Sequence, residues 1–261
     1  MSQKPNVKNY NNGIISGAAA VSEQFLIGNL LDLAKLEKQR STHKSYNQIK
    51  IEIFKNGIVK GMSMGMFPWG ILMYSGRGIF YGTSLIAAKD YLDKQEFKLF
   101  DTRIASSIIA GGVEGAMTAP FSMMRTRVVQ ANVENRVSRF ALSALVKTTP
   151  LNSLKRAGDW GIRSTIYYKM IDDYHINPLV SGFFSGIISS TITTPVDRLL
   201  PVLQQENAPK NIFLWFNRSF KENGLKTMFA GNFARILHGG THTFFIFGAL
   251  HLFHQQNIIK F

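Results

Sequence analysis

The sequence predicts an all-α membrane protein: six transmembrane helices in three pseudo-repeats, each of two helices plus a short amphipathic helix. Three observations predict it. The chain has 261 residues, 45% hydrophobic and 18% charged, enough for about six spans of ~20 residues. Residues 61–76, 177–195 and 236–259 hold no Asp, Glu, Lys or Arg beyond Arg77 just after the first run. These runs are too long and glycine-rich for the core helices of a large soluble helical protein, the alternative architecture. Finally, a short motif recurs. Pro195-Val196-Asp197 ends one uncharged run, Pro120-Phe121-Ser122 ends another, and Leu30-Leu31-Asp32 takes the same place in the first. The spacings are 90 and 75 residues, and internal repetition outweighs any single motif.

Repeat one is expected over 13–98 of a single domain, 1–261. Gly13 to Gly28 is small and apolar with only Glu23 charged, and Leu30 to Lys35 follows. Tyr46 to Phe54 reads as a short amphipathic helix, although its apolar alternation also fits a strand. Glycines at 57 and 61 break the chain. The run resumes to Ala88, interrupted by Arg77, which reads as one functional charge within a span. Lys89 to Lys98 is a charged connector. Repeat two, 101–176, starts with a run from Ile104 to Met124 whose only charge is Glu114. Proline in such a run bends the helix, so Pro120 and Pro195 are expected kinks. Phe140 to Val146 reads as a short amphipathic helix. Trp160 to Ile171, interrupted by Arg163 and Lys169, spans only if it faces a watery interior or protein neighbours. Repeat three, 177–261, contains the Pro195 kink, an amphipathic stretch at Ile212 to Phe220, a turn bracketed by Gly224 and Gly231, and a last uncharged run. Small residues precede two kinks at equal distances, Ser107 with Gly111 and Gly182 with Gly186; Gly17 with Val21 half-repeats this. Such spacing lets membrane helices approach closely.

The net charge is +14, from 30 Lys+Arg against 16 Asp+Glu, which implies anionic partners. With no cysteine, disulfides and Cys-based catalysis are excluded. Met1 to Asn12 is polar and lacks a secretory apolar core. GxSxG, HExxH, Walker and dinucleotide-loop motifs are missing, so no enzyme is expected. The basic residues lie mainly in loops between apolar runs, which argues against a nucleic-acid-binding protein. His238, His242, His251 and His254 raise a metal site, but no carboxylate converges with them in sequence; none is expected, nor any cofactor.

From the motif onward the chain resembles the mitochondrial carrier family, over roughly residues 13–255, as a divergent member nearest in pattern to nucleotide carriers. That family has three such repeats, the short helix lying on the matrix side, with Pro-x-[Asp/Glu]-x-x-[Lys/Arg] on each odd helix. The third positions here are Asp32, Ser122 and Asp197; the sixth are Lys35, Arg125 and Leu200. Leu30 departs from proline, and the first matrix loop is shortened around Asn56 to Gly61. The resemblance implies a matrix gate in which Asp32 pairs with Arg125 and Asp197 with Lys35. The third pair, Ser122 with Leu200, has lost both charges together, which avoids stranding one. Gln39 and Gln204 take the place of the family's braces beneath this layer, and Gln130 is one residue out of register.

The resemblance also implies a site on the even helices: Arg77 at the first contact point, Gly161-Ile162 at the second, and His238, near Arg235, at the third. Gly161-Ile162 would offer a slot and an apolar face to a purine, and Arg77 a fork for phosphate. His238 in place of an arginine, and the lack of a triple-arginine run near 125–130, argue against strict ADP/ATP exchange. The expected function is transport of an anionic phosphorylated solute, most simply a purine nucleotide such as ATP, by alternating access. A carboxylate or amino acid is the alternative cargo. Lys60-Gly61 and Ala230-Gly231 resemble the family's cardiolipin-binding helix starts. A monomer in the mitochondrial inner membrane follows, in host mitochondria if an intracellular pathogen or virus encodes the chain.

Overall fold

The computed structural model describes residues 17–41, 43–55, 57–95, 101–134, 142–204, 209 and 211–255. Residues 13–16, 96–98 and 256–261, Asn56, Phe140, Gln205 and the side chains of His251 and His254 lie outside them. The described chain is helical, and six long helices dominate it: α1 (17–40), α4 (Ile71–Lys94), α5 (Thr102–Glu134), α6 (Leu142–Asp172), α7 (Pro178–Asp197) and α10 (Asn232–Gln255). Shorter pieces are α2 (Tyr46–Phe54), α3 (Ile58–Ser63), α8 (Leu199–Gln204) and α9 (Ile212–Met228).

The long helices close a ring. α4 packs on α5, α5 on α6, α6 on α7, α7 on α10, and α10 returns to α1; α1 reaches α4 where Gly17 lies against the Ser75 carbonyl. Small residues make the tight crossings. A Cβ on Gly17 would sit 3.2 Å from the Ser75 oxygen, and one on Gly111 2.6 Å from that of Arg156. Gly186 presses on the Gly239 carbonyl in the same way. Gly111 and Gly186 both stand nine residues before their prolines, so equivalent positions make equivalent contacts.

The polarity of the ring is inverted relative to a water-soluble bundle. On α7 the buried face is Ser181, Gly182, Ser185, Gly186, Ser189 and Ser190, while Val180, Phe184, Ile188 and Ile192 point outward. On α5 the interior holds Glu114 and Arg125, and Ile108, Ile109, Val113 and Met117 are exposed. That pattern suits a bilayer, where the outer surface must be apolar and charges turn inward. By length and composition alone one described stretch, Pro178–Gln204, is apolar enough to cross a membrane; the other long helices carry inward charges that lower their hydropathy.

α2 forms because Ser45 caps it in a box: the Ser45 hydroxyl accepts from the Gln48 amide at 3.2 Å, and the Gln48 side chain accepts from the Ser45 amide at 2.7 Å. The strand alternative for this segment is not realised. Ile49 and Ile53 bury against Leu33, Met64 and Val129. Two expectations are corrected. Lys60-Gly61 does not begin a long helix: it lies inside the short α3, and the break comes at Gly65, in the left-handed region at φ 70°. Gly231, at φ 80°, makes the matching break before α10. The second short amphipathic helix is not separate either. From Leu142 the chain runs unbroken into α6, with Pro150 inside it, because residues 142–157 contain no glycine.

Pro120 is accommodated within α5. α7 ends two residues after Pro195, and a turn at Arg198 separates it from α8. α1, with Leu30 in place of proline, instead has a π turn at Gln24–Gly28, a common device where a helix is re-aimed. At the far end of the ring, Arg103 bridges Asp101 and Asp172, at 2.6 Å each, tying α5 to α6. The Arg103 hydrogen bond holds the Asp101 carboxyl below the usual carboxylate range.

Candidate functional site

The interior of the ring is a charged layer topped by a small cavity. In the layer, Arg125 reaches Asp32 at 2.6 Å and Asn29 at 2.7 Å, and the Tyr74 hydroxyl donates to Asp32 at 2.8 Å. Asn29 in turn donates to the Met62 carbonyl at 2.6 Å and lies 3.3 Å from that of Met64, fixing the end of α3. Lys35 lies between two acids, 2.6 Å from Asp32 and 3.5 Å from Asp197. Asp197 also holds Lys155 and Arg235, neither of which belongs to the repeated motif. Gln39 donates to Asp197 at 3.2 Å. Gln204 is buried, and its backbone carbonyl accepts from Arg127 at 3.0 Å. Leu200 is buried and Ser122 half-buried; the Ser122 carbonyl accepts from Thr126.

The cavity above this layer has a volume of about 50 Å³. Its wall carries six basic side chains: Lys35, Arg77, Lys155, Arg156, Arg163 and Arg235. Two carboxylates face them, Asp32 and Asp159, with His238 and His242 completing the polar rim. Arg77 stacks over Tyr74 at 4.9 Å and lies 3.8 Å from Glu114. Glu114 also accepts from the Trp160 indole at 2.6 Å and pairs with Arg156 at 3.4 Å. Asp159 joins α6 to α7 by accepting from Ser189 and Thr193, at 2.5 and 3.3 Å. Arg235 donates to the Ser190 carbonyl and to the Thr193 hydroxyl, at 3.0 and 2.5 Å. The interior-facing reading of Arg163 matches its position, 3.1 Å from Asp159.

Of the residues expected to contact a solute, Arg77, Arg235 and His238 line the cavity. Gly161 and Ile162 do not. A Cβ at Gly161 would meet Ile108 at 2.8 Å, so the missing side chain serves the α5–α6 contact. Lys155, Arg156 and Asp159 carry no signal in the sequence, because they precede the apolar stretch from Trp160 to Ile171. The histidines meet a carboxylate that is distant in sequence. Glu23, more than two hundred residues earlier, converges on His238 and His242, and one ligand atom from each lies within 4.8 Å of the others.

An all-helical ring with an apolar outer face, closed on a charged cavity, is consistent with the carrier fold. Residues 172–257 match the family model described as mitochondrial carrier protein. Over 85 residues the chain is 33% identical to "Mitochondrial substrate carrier family protein A" of Dictyostelium discoideum, a stretch covering 29% of this chain and 26% of that protein. The match therefore spans about a quarter of that relative's length. The similarity to the mitochondrial carrier family is thus carried by the last third of the chain, residues 172–257.

Proposed function

We propose that the protein carries an anionic solute across the mitochondrial inner membrane by alternating access, as a monomer with six spans in three repeats, 13–98, 101–176 and 177–261. The cavity carries this reading: its wall has six Lys or Arg against two carboxylates. Counting Glu114 and Asp197 behind the wall still leaves the bases in excess. Buried charge is costly without a counter-charge, and an anion supplies it. Asp32 with Arg125 and Asp197 with Lys35 form the matrix gate in this proposal, braced by Gln39 and Gln204. Ala230-Gly231 offers the amide-rich helix start that suits a cardiolipin phosphate.

A phosphorylated solute fits Arg77 and Arg235, whose paired N–H donors match phosphate. A purine nucleotide such as ATP is the first reading. Ligand pockets of drug size hold about 300–1,000 Å³, so a nucleotide enters only as the helices part. A second reading, a small phosphate or carboxylate, is favoured by the closed cavity and by Gly161 facing Ile108. The deciding experiment is uptake of labelled ATP into liposomes holding the purified protein, with dATP, phosphate, dicarboxylates and amino acids as competitors. Nucleotide competition is expected, with uptake lowered at least ~10-fold in Arg77→Ala or Arg235→Ala, since a hydrogen bond to a charged group is worth about 1.5–3 kcal/mol. If no nucleotide competes, the small-anion reading stands; if no anion is taken up, the carrier reading fails.

A further inference from the structure

We infer that Glu23, His238 and His242 form a binding site for a divalent first-row transition cation, at the seam where the last helix of the ring meets the first. The histidines stand at i and i+4 on α10, which puts both rings on one face, with centroids 5.8 Å apart. Glu23 comes from α1, in the turn before the π turn at Gln24–Gly28. Its Oε2 is 3.2 Å from His242 Nδ1, and its Oε1 is 4.0 Å from His238 Nε2. Two imidazoles and one carboxylate are a donor set suited to zinc, with a fourth position open. Bonds of about 2.0–2.1 Å to a tetrahedral ion need donor atoms roughly 3.3 Å apart, within reach of small side-chain rotations from the separations seen.

What singles out this acid is the company it keeps. Asp32, Glu114, Asp159 and Asp197 each have Lys or Arg within ion-pair distance. Among the described residues Glu23 has only the two histidines. It is nonetheless fully buried, and its Oε1 has no hydrogen-bond partner. A buried carboxylate oxygen left unpaired is costly, and a cation removes that cost. Gln24 completes the surroundings: its Nε2 lies 2.5 Å from Glu23 Oε2 and 2.8 Å from His238 Nε2, while its own Oε1 is unpartnered. The Gln24 amide thus stands where a cation would meet His238 Nε2, and its side chain turns aside when the ion binds. Because His238 and His242 line the cavity, the open coordination position is reachable from inside the ring.

The test uses the full-length, tag-free protein in detergent, freed of metal by chelator and then titrated with zinc or cobalt. One ion per chain is expected, with cobalt giving the absorption bands of a tetrahedral nitrogen and oxygen site. Glu23→Gln and His242→Asn should abolish both. Control substitutions His43→Ala and His175→Ala, at exposed positions, should change neither. Glu23→Gln keeps the volume of the side chain, so it remains informative if His238→Ala fails to fold. Zinc should also raise the melting temperature of the unsubstituted protein and leave that of Glu23→Gln unmoved. The proposal is overturned if the unsubstituted protein binds no ion, or if the stoichiometry and cobalt spectrum persist in both ligand variants; either result would show a hydrogen-bonded cluster only. These readouts do not depend on any transported solute.

Discussion

Asp197 shows what a single residue can and cannot disclose in advance. Its place in the repeated motif links it to Lys35, and the two lie 3.5 Å apart. Its other partners, Lys155 on α6 and Arg235 on α10, sit outside the motif, and no spacing rule along the chain announces contacts made around a ring. Three bases on one carboxylate change the expected genetics. Asp197→Asn leaves all three without their shared counter-charge and should cost about 3–5 kcal/mol, the range for breaking a buried ion pair, seen as a lower unfolding temperature in detergent. Exchanging the charges of Lys35 and Asp197 would rescue an isolated pair. Here it sets a lysine at position 197 against Lys155 and Arg235, so the double variant should remain as impaired as the singles. By contrast, the exposed Arg218–Glu222 pair should tolerate Arg218→Ala without measurable loss.

At the scale of elements, the motifs located the odd helices well and the even-helix starts less well. Tyr46 to Phe54 leaves helix and strand open by its alternation, and the Ser45 capping box decides for the helix. Lys60-Gly61 misled because glycine marks a break only where the backbone uses its freedom, and that happens four residues on, at Gly65. Among the described residues the glycines at 57, 65, 224 and 231 have positive φ, and the two that precede α4 and α10, Gly65 and Gly231, are equivalent in packing as well as in conformation. A Cβ on Gly65 would meet Val129 at 2.6 Å and Arg125 at 3.4 Å; one on Gly231 would meet the Lys35 carbonyl at 3.0 Å. Each thus abuts the sixth residue of a motif. Gly231→Ala should cost about 1–2 kcal/mol for the left-handed backbone alone, with the Lys35 carbonyl adding to it. Thermal unfolding beside Gly158→Ala, where an added Cβ meets nothing within 4 Å, isolates that cost.

For the whole molecule, the long uncharged runs and the +14 charge pointed to a membrane protein handling anions, and the inverted ring gives that reading a geometry. The charged spans were the hard part to foresee. α6 carries Lys155, Arg156, Asp159 and Arg163 on one buried face, so its linear sequence looks too polar to cross a bilayer. Only the closed ring shows that those charges turn to the interior. The absence of cysteine makes this testable with single reporters. A spin label on Ile188→Cys in liposomes should collide far more often with oxygen than with a water-soluble nickel complex, and one on Asp101→Cys should show the reverse. Equal water exposure at both positions would contradict the bilayer orientation.

The unbroken α6 has a mechanical meaning for the ring as a whole. The sectors that end in α4 and α10 each contain a glycine joint, so a push on their short helices is absorbed locally by rotation about Gly65 or Gly231. The middle sector has no joint between Leu142 and Asp172. It is one continuous helix, about 46 Å long at the usual helical rise, with Pro150 inside it and Lys155 near its middle gripping Asp197. Tilting its outer end therefore pulls directly on the busiest carboxylate in the interior, whereas the other two sectors can flex first.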